Sequence, residues 1–227
     1  MPDERPPLKD LILKSIARLK ARGPREASSV ASARAHEWFG SEDRLVILVR
    51  DCTEEDAERE GLVLRRATAD DADAYARFIG TDSAVTFIRR LSATSTCYLA
   101  FEGYRILHAT WCTYGAAWTR ELHAYLVPPA EDAYVYESFT RADARGKGIY
   151  PFALRGIAAD LHRDGRKRVW VGVEAHNEPS LRAVAKGGFT EAFSIRFGRR
   201  WGRVWVKPDP MSSPSESLHI TTNPASP

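Results

Sequence analysis

Residues 139–151, FTRADARGKGIYP, constrain the fold more than any other stretch of the chain. A strand-like approach over Ala133 to Thr140 runs through a basic, glycine-bearing turn straight into a helical pattern. Leu154, Ile157, Ala158 and Leu161 mark that helix, and Asp164-Gly165 ends it. A strand that turns directly into a helix leaves several backbone N–H groups aimed at one concavity, and the helix adds partial positive charge there. A phosphate is therefore the expected guest. Gly146 and Gly148 allow close backbone approach and positive φ, and Arg145 and Lys147 bring formal charge. Pro151 suits the first helical position, where its missing N–H has no partner to lose. A P-loop is excluded because Ile149, not lysine, follows Gly148, and a dinucleotide fingerprint is excluded because Pro151 stands where its third glycine belongs.

Around this turn, strand and helix patterns follow one another in a regular order. Leu62 to Arg66 reads as a strand, Asp70 to Ile79 and Ala84 to Leu91 as helices, and Thr96 to Phe101 and Arg105 to Tyr114 as a hairpin joined across Glu102-Gly103-Tyr104. After Ala133 to Thr140 and its helix, Val169, Val171 and Val173 alternate on a further strand. A short helix after Asn177 stops at Gly187-Gly188, and two strands follow around Thr190 to Phe197 and Trp201 to Lys207. The reading is a mixed α/β (α+β) domain over 61–208. It is preceded by an extension, 1–60, with a helix over 8–21 (Leu8, Leu11, Ile12, Ile16, Leu19) and a buried strand over 44–50. Residues 209–227 are mostly Ser, Pro, Thr and Asn, with too little apolar surface to offset chain ordering, and read as a disordered tail.

Composition narrows the function classes. With 227 residues, 44% hydrophobic and 28% charged, the chain can build a sizeable core. A net charge of +3 gives no bulk attraction to nucleic acid or membrane. Arginine and aromatic residues alternate from Arg196 to Trp205, but facing strands with aromatics inward produce the same string, so nucleic acid is not an expected partner. Three cysteines at long spacings, Cys52, Cys97 and Cys112, form neither a disulfide framework nor a zinc knuckle, so no metal is expected. No apolar run of about 18 residues occurs, and a cytoplasmic protein is the expectation.

The combination of Arg145-x-x-Gly148 after a strand, a strand ending in Val173-Glu174, Asn177-x-x-Ser180, and Lys186-Gly187-Gly188-Phe189 resembles the GNAT superfamily of N-acetyltransferases over Leu62 to Lys207. The resemblance implies a mostly antiparallel central sheet flanked by helices. It also implies acetyl-CoA as acyl donor, its pantetheine arm lying between two splayed strands, 133–140 and 168–174. Phe139, Thr140 and Arg141 then border the arm, with the backbone of Phe139 and Arg141 on its amides. Arg145, Gly146, Lys147, Gly148, Ile149 and Tyr150 hold the pyrophosphate, and Asn177 and Ser180 line the same channel, Asn177 also serving as a helix cap. Two positions depart from the family's pattern: Tyr150 replaces a usual glycine or alanine, and Val184 replaces a tyrosine that many members use to protonate the departing thiolate.

Attack on a thioester needs a neutral amine, and an alkyl ammonium of pKa near 10 must first lose a proton. Glu137, two residues before Phe139 and so on its strand face, is the candidate base, with Glu174 a second choice. Tyr136 is the candidate acid, with Tyr134, Tyr150, His123 and His176 as further donors. The acceptor is a small-molecule or peptide amine, bordered by the 111–131 loop with Trp118, His123 and Tyr125, and the 8–21 arm offers a surface for a homodimer. The competing reading is a non-catalytic acyl-CoA-binding sensor or scaffold of the same fold.

Overall fold

The computed structural model describes residues 41–54, 58–200, 203–208 and 218–223. The chain divides into two units, Met1–Glu42 with Gly198–Trp205, and Asp43–Phe197 with Val206–Pro227. The helix expected over 8–21 lies outside the described residues. The larger unit carries the elements that follow, apart from residues 41–42 of β1, 198–200 of β9 and 203–205 of β10.

Its strands and helices alternate much as their periodicities dictate. The strands are β1 (Ser41–Asp51), β2 (Leu62–Arg66), β3 (Ser95–Glu102), β4 (Arg105–Thr113), β5 (Ala117–Thr119), β6 (Ala124–Val127), β7 (Ala133–Thr140), β8 (Arg168–Glu174), β9 (Thr190–Arg200), β10 (Arg203–Pro208) and β11 (His219–Thr221). The helices are α1 (Ala72–Ile79), α2 (Ala84–Arg90), α3 (Ile149–Arg163) and α4 (Glu178–Lys186). A single 3-10 turn, Ala69–Asp71, precedes α1, and Gly80 closes that helix in the left-handed region at φ 71. Ser83 caps α2 by accepting the Thr86 N–H at 3.1 Å.

An eight-stranded sheet runs in the order β10-β9-β1-β8-β7-β4-β3-β2. The β1–β8, β2–β3, β3–β4 and β4–β7 pairings are antiparallel, and β7–β8 is parallel. Alternation along each strand sends side chains to two cores. On one face α1 and α2 lay Tyr75 and Phe87 against Cys97, Leu99, Ala109 and Trp111. On the other, Leu154, Ile157 and Leu161 of α3 and Val184 of α4 cover Val46, Leu48, Val135, Val169 and Val171. Buried Asp132 ties the chain before β7 to β8, accepting from Arg168 Nε at 3.0 Å and Trp170 Nε1 at 2.7 Å. Among the described residues no helix is long and apolar enough to cross a membrane.

Two outcomes differ from the sequence reading. The strand expected within the N-terminal extension is an inner strand of the main sheet, paired with β8 from Leu45 opposite Glu174 to Asp51 opposite Arg168. Val46, Ile47 and Leu48 are all at most 5% exposed, and burial contributes about 1.5–3 kcal/mol for each such side chain, enough to favour a central position over an edge. The tail is not wholly irregular either. Residues His219–Thr221 form β11, which pairs with β6 in a three-stranded sheet ordered β11-β6-β5. Leu218, 3% exposed, and Ile220 anchor it, an apolar pair that the Ser- and Pro-rich average conceals.

Candidate active site

β7 and β8 lie side by side only from Ala133 to Val135 and from Val169 to Val171. Beyond that, β7 stays with β4 through Phe139 and Thr140, while Gly172, Val173 and Glu174 of β8 stay with β1. The two parallel strands therefore part as a fork. The register of β4 against β7 shifts where the fork opens. Ala109 faces Phe139 but Trp111 faces Tyr136, so Glu137 and Ser138 share Thr110 as their opposite. This is a β-bulge, which bends a strand and leaves backbone groups of the extra residue unpaired. Glu137 carries the bend at φ 49, a left-handed conformation that a non-glycine residue adopts only at a cost of about 1–2 kcal/mol.

Past Thr140 the chain makes a 3-10 turn, Ala142–Ala144, and enters α3 through Gly146 at φ 74 and Gly148 at φ 73. Among the described residues no acceptor is in hydrogen-bonding geometry with the N–H of Gly146, Lys147 or Gly148. These N–H groups and the first turn of α3 are the donors that the sequence reading offers to a phosphate. Arg145 Nε donates to Thr140 O at 3.2 Å. A cation that the sequence reading did not select, Arg59, donates to Lys147 O at 2.6 Å, and a Cβ on Gly148 would lie 3.3 Å from its Nη1. Arg141 pairs with Asp143 at 3.3 Å, and Arg105, which also pairs with Asp143, holds that carboxyl below its ordinary range. Ile149 is buried beneath α3.

Tyr150 does not obstruct the cradle. Its ring stacks on His108 of β4, with centroids 5.1 Å apart. His108 is held in turn by Thr140 Oγ1 at 2.7 Å, and burial pushes its pKa down to about 3. Asn177 caps α4, accepting the Ser180 N–H at 3.3 Å. That hydrogen bond realises the cap reading of Asn177 and fixes Ser180 in the first turn of α4.

The candidate acid–base groups occupy the α1–α2 side of the fork. Glu137 is ion-paired with Arg90 at 2.5 Å, and Arg90 sits 4.0 Å over the Trp111 ring. Phe139 packs edge-on against Phe78 at 5.3 Å, so it shares the face of Glu137. Tyr136 Oη meets Ser95 Oγ at 3.2 Å, and its ring stacks on Tyr134 at 6.3 Å. Tyr134 is buried, a Cβ on Gly172 would lie 2.9 Å from its hydroxyl, and burial raises its pKa. Glu174, at the tip of β8, has a raised pKa. Burial is the main cause, Glu121 adds to it, and His176 opposes it. His176 Nδ1 lies 2.7 Å from Asp43, and its Nε2 lies 3.7 Å from Glu174. His123 is elsewhere, at φ 48 beside Trp118.

The structure thus gathers Glu137, Tyr136, Phe139 and Glu174 at the fork and Arg145 to Gly148 at its cradle. Arg59, Arg90 and Asp43 join them through contacts between residues far apart in sequence, which no local pattern encodes. His108 did leave a signal, since His108, Thr110 and Cys112 alternate along one face of an otherwise apolar strand. A concavity of about 570 Å³ lies along β2 and α3. Arg66 in its wall is paired with Asp160 at 2.6 Å, and the wall includes none of Gly146, Lys147 and Gly148.

No family model and no curated protein matches the sequence. Among solved structures, the chain is similar to a GCN5-related N-acetyltransferase from Sphaerobacter thermophilus, with a TM-score of 0.51 and 13% identity over 80% of this chain and 57% of that one. It is also similar to a GNAT-family protein from Novosphingobium aromaticivorans (TM-score 0.48, 17% identity, 69% of this chain and 63% of that one). A third is the ribosomal-protein-S18-alanine N-acetyltransferase of Escherichia coli (TM-score 0.45, 15% identity, 59% and 80%). The match spans less than two thirds of the length of the first two. The chain has the fold of the GNAT acetyltransferases.

Proposed function

We propose that the chain is an acetyl-CoA-dependent N-acetyltransferase that passes an acetyl group to an amine by direct attack on the thioester. The observation that carries this reading is the fork of β7 and β8 beside a turn in which, among the described residues, the N–H groups of Gly146, Lys147 and Gly148 have no acceptor. The amides from Gly146 to Tyr150 hold the diphosphate, the Arg145 N–H being already donated to Ala142 O, and the side chains of Arg59, Arg145 and Lys147 offset its charge. Phe139 and Thr140 border the pantetheine arm, as do Asn177 and Ser180, whereas Arg141 does not offer its backbone as expected, because its N–H donates to Leu107 O at 3.0 Å and its C=O accepts from the Ala144 N–H at 3.0 Å. At the bulge, the N–H groups around Ser138 orient the thioester carbonyl and stabilise the charge that develops on its oxygen.

The amine approaches from the α1–α2 side. Glu137, pinned by Arg90, anchors the incoming ammonium. Glu174, whose carboxyl burial moves toward the range of a working base, takes its proton with His176 and Asp43 behind it. Carboxylates at Glu137, Glu174, Glu121 and Asp43 favour a cationic small-molecule or peptide amine. A second reading, binding of acyl-CoA without turnover, draws on Val184, which is wholly buried and brings no hydroxyl from α4.

Thiol release from acetyl-CoA against a panel of amines separates the two. The account expects turnover with at least one amine. It also expects a loss of about 100-fold in kcat for Glu174→Gln, and a raised KM with smaller kcat loss for Glu137→Gln. Binding without thiol release for every amine would favour the sensor.

A further inference from the structure

Near its start β4 carries one residue more than β3. Ile106 faces Phe101 and His108 faces Ala100, so Leu107 is the extra residue of a β-bulge. In a regular strand Ile106 and His108 would share a face. Here Ile106 joins the α1–α2 core with Ala109 and Trp111, while Leu107 and His108 both turn to α3. Leu107 packs with Ala144, Ile149 and Phe152, and His108 stacks on Tyr150 with centroids 5.1 Å apart. We infer that His108 is a positioning residue for the acyl donor, a joint that holds the two ends of the 140–150 segment at the spacing the donor's diphosphate requires. This rests on the donor binding proposed above.

The segment needs holding. Gly146 and Gly148 stand in the left-handed region at φ 74 and 73, and the N–H groups of Gly146, Lys147 and Gly148 have no acceptor among the described residues. A stretch with two glycines and no internal bonds at its tip has many shapes open to it. Its two ends meet at β4. Thr140 Oγ1 lies 2.7 Å from His108 Nδ1, and the Arg141 N–H donates to Leu107 O at 3.0 Å. Leu107 thus supplies a backbone acceptor and apolar packing, but the side chain that bridges Thr140 to Tyr150 is the imidazole.

An imidazole is a costly choice in this position. His108 is fully buried, and its Nε2 has no hydrogen-bond partner among the described residues. An orphaned buried nitrogen lowers stability, and an apolar side chain of similar size carries no such penalty. The ring does not serve as a charge either, since burial pushes its pKa down to about 3 and leaves it neutral beside a diphosphate. What it contributes is position: Nδ1 fixes Thr140 and the ring face fixes Tyr150. A segment so held has its binding shape before the donor arrives. Without the joint only a fraction of chains has that shape, and the apparent Kd rises as that fraction falls.

The test uses the full chain and acetyl-CoA, with calorimetric affinity, kcat and KM against a turned-over amine, and the melting temperature without ligand. His108→Phe keeps a ring on Tyr150 and cuts the link to Thr140. Acetyl-CoA should bind about tenfold more weakly and its KM should rise in step, while kcat stays within about twofold because the bound donor itself orders the segment. The melting temperature should hold or rise, since an orphaned buried nitrogen is gone. Thr140→Val should weaken binding by about as much, and the two substitutions together should weaken it no further, because both cut one link. His108→Leu, which has no ring to fit, gives the same reading should Phe not pack, and losing both contacts it should bind at least as weakly. Affinity within about twofold of the unaltered chain in His108→Phe and His108→Leu, or additive losses in the double variant, would overturn the assignment and leave donor binding intact. Absence of acetyl-CoA binding to the unaltered chain would overturn both.

Discussion

Asp132 shows how much a single buried charge can carry. Its side chain is 1% exposed and accepts from both Arg168 and Trp170. Asp132→Ala leaves the buried Trp170 indole N–H without its acceptor and removes one partner of Arg168, and should cost about 1–3 kcal/mol in chemical denaturation. Asp160 supplies the pH dependence. Burial alone would raise its pKa, but donors from Tyr98, Arg66 and Arg163 outweigh it and the net shift is downward. A lowered carboxyl stabilises the fold above its ordinary titration range, and that stability is lost as pH falls through the lowered value. Acid titration of the melting temperature should therefore flatten in Asp160→Asn relative to the unaltered chain. At this scale the sequence was legible where chemistry is local. Gly146 and Gly148 announce their turn because no other residue suits it so well, whereas the ion pair of Arg90 with Glu137 joins positions 47 apart and leaves no trace in either neighbourhood.

Between residues and fold, the elements show which signals survive tertiary packing. α3 and its glycine turn, the β3–β4 hairpin and the α4 cap lie where periodicity and capping place them, because each is specified within a few residues. The divergence of β7 from β8 was anticipated only through the resemblance. Its cause, a bulge at Glu137 and Ser138, depends on how β4 pairs and is invisible in β7 itself. β11 was missed because a short strand needs only Leu218 and Ile220 and an open edge on β6. Leu218→Ala should accordingly cost about 2–5 kcal/mol, seen as a lowered denaturant midpoint. Where α4 ends, a Cβ on Gly187 would stand 3.0 Å from Val184 O and 3.1 Å from Leu154 Cδ1. Gly187→Ala should destabilise by about 1–3 kcal/mol, because the neighbours include backbone that cannot yield.

Taken as a molecule, the larger unit sets the Glu137–Arg90 pair on the α1–α2 side of the opening between β7 and β8 and the N–H groups of Gly146, Lys147 and Gly148 at the turn into α3. A mild net charge of +3 gives no reason for strong long-range steering, so recognition of the donor should rest on the cradle itself. Calorimetric titration of acetyl-CoA into the unaltered chain and into Gly148→Val tests this most directly. A β-branched residue cannot hold φ 73 without strain and would crowd Arg59. The account predicts one acetyl-CoA per chain, with affinity weakened about tenfold or more by the substitution. No binding by the unaltered chain, or equal affinity in both, would contradict it.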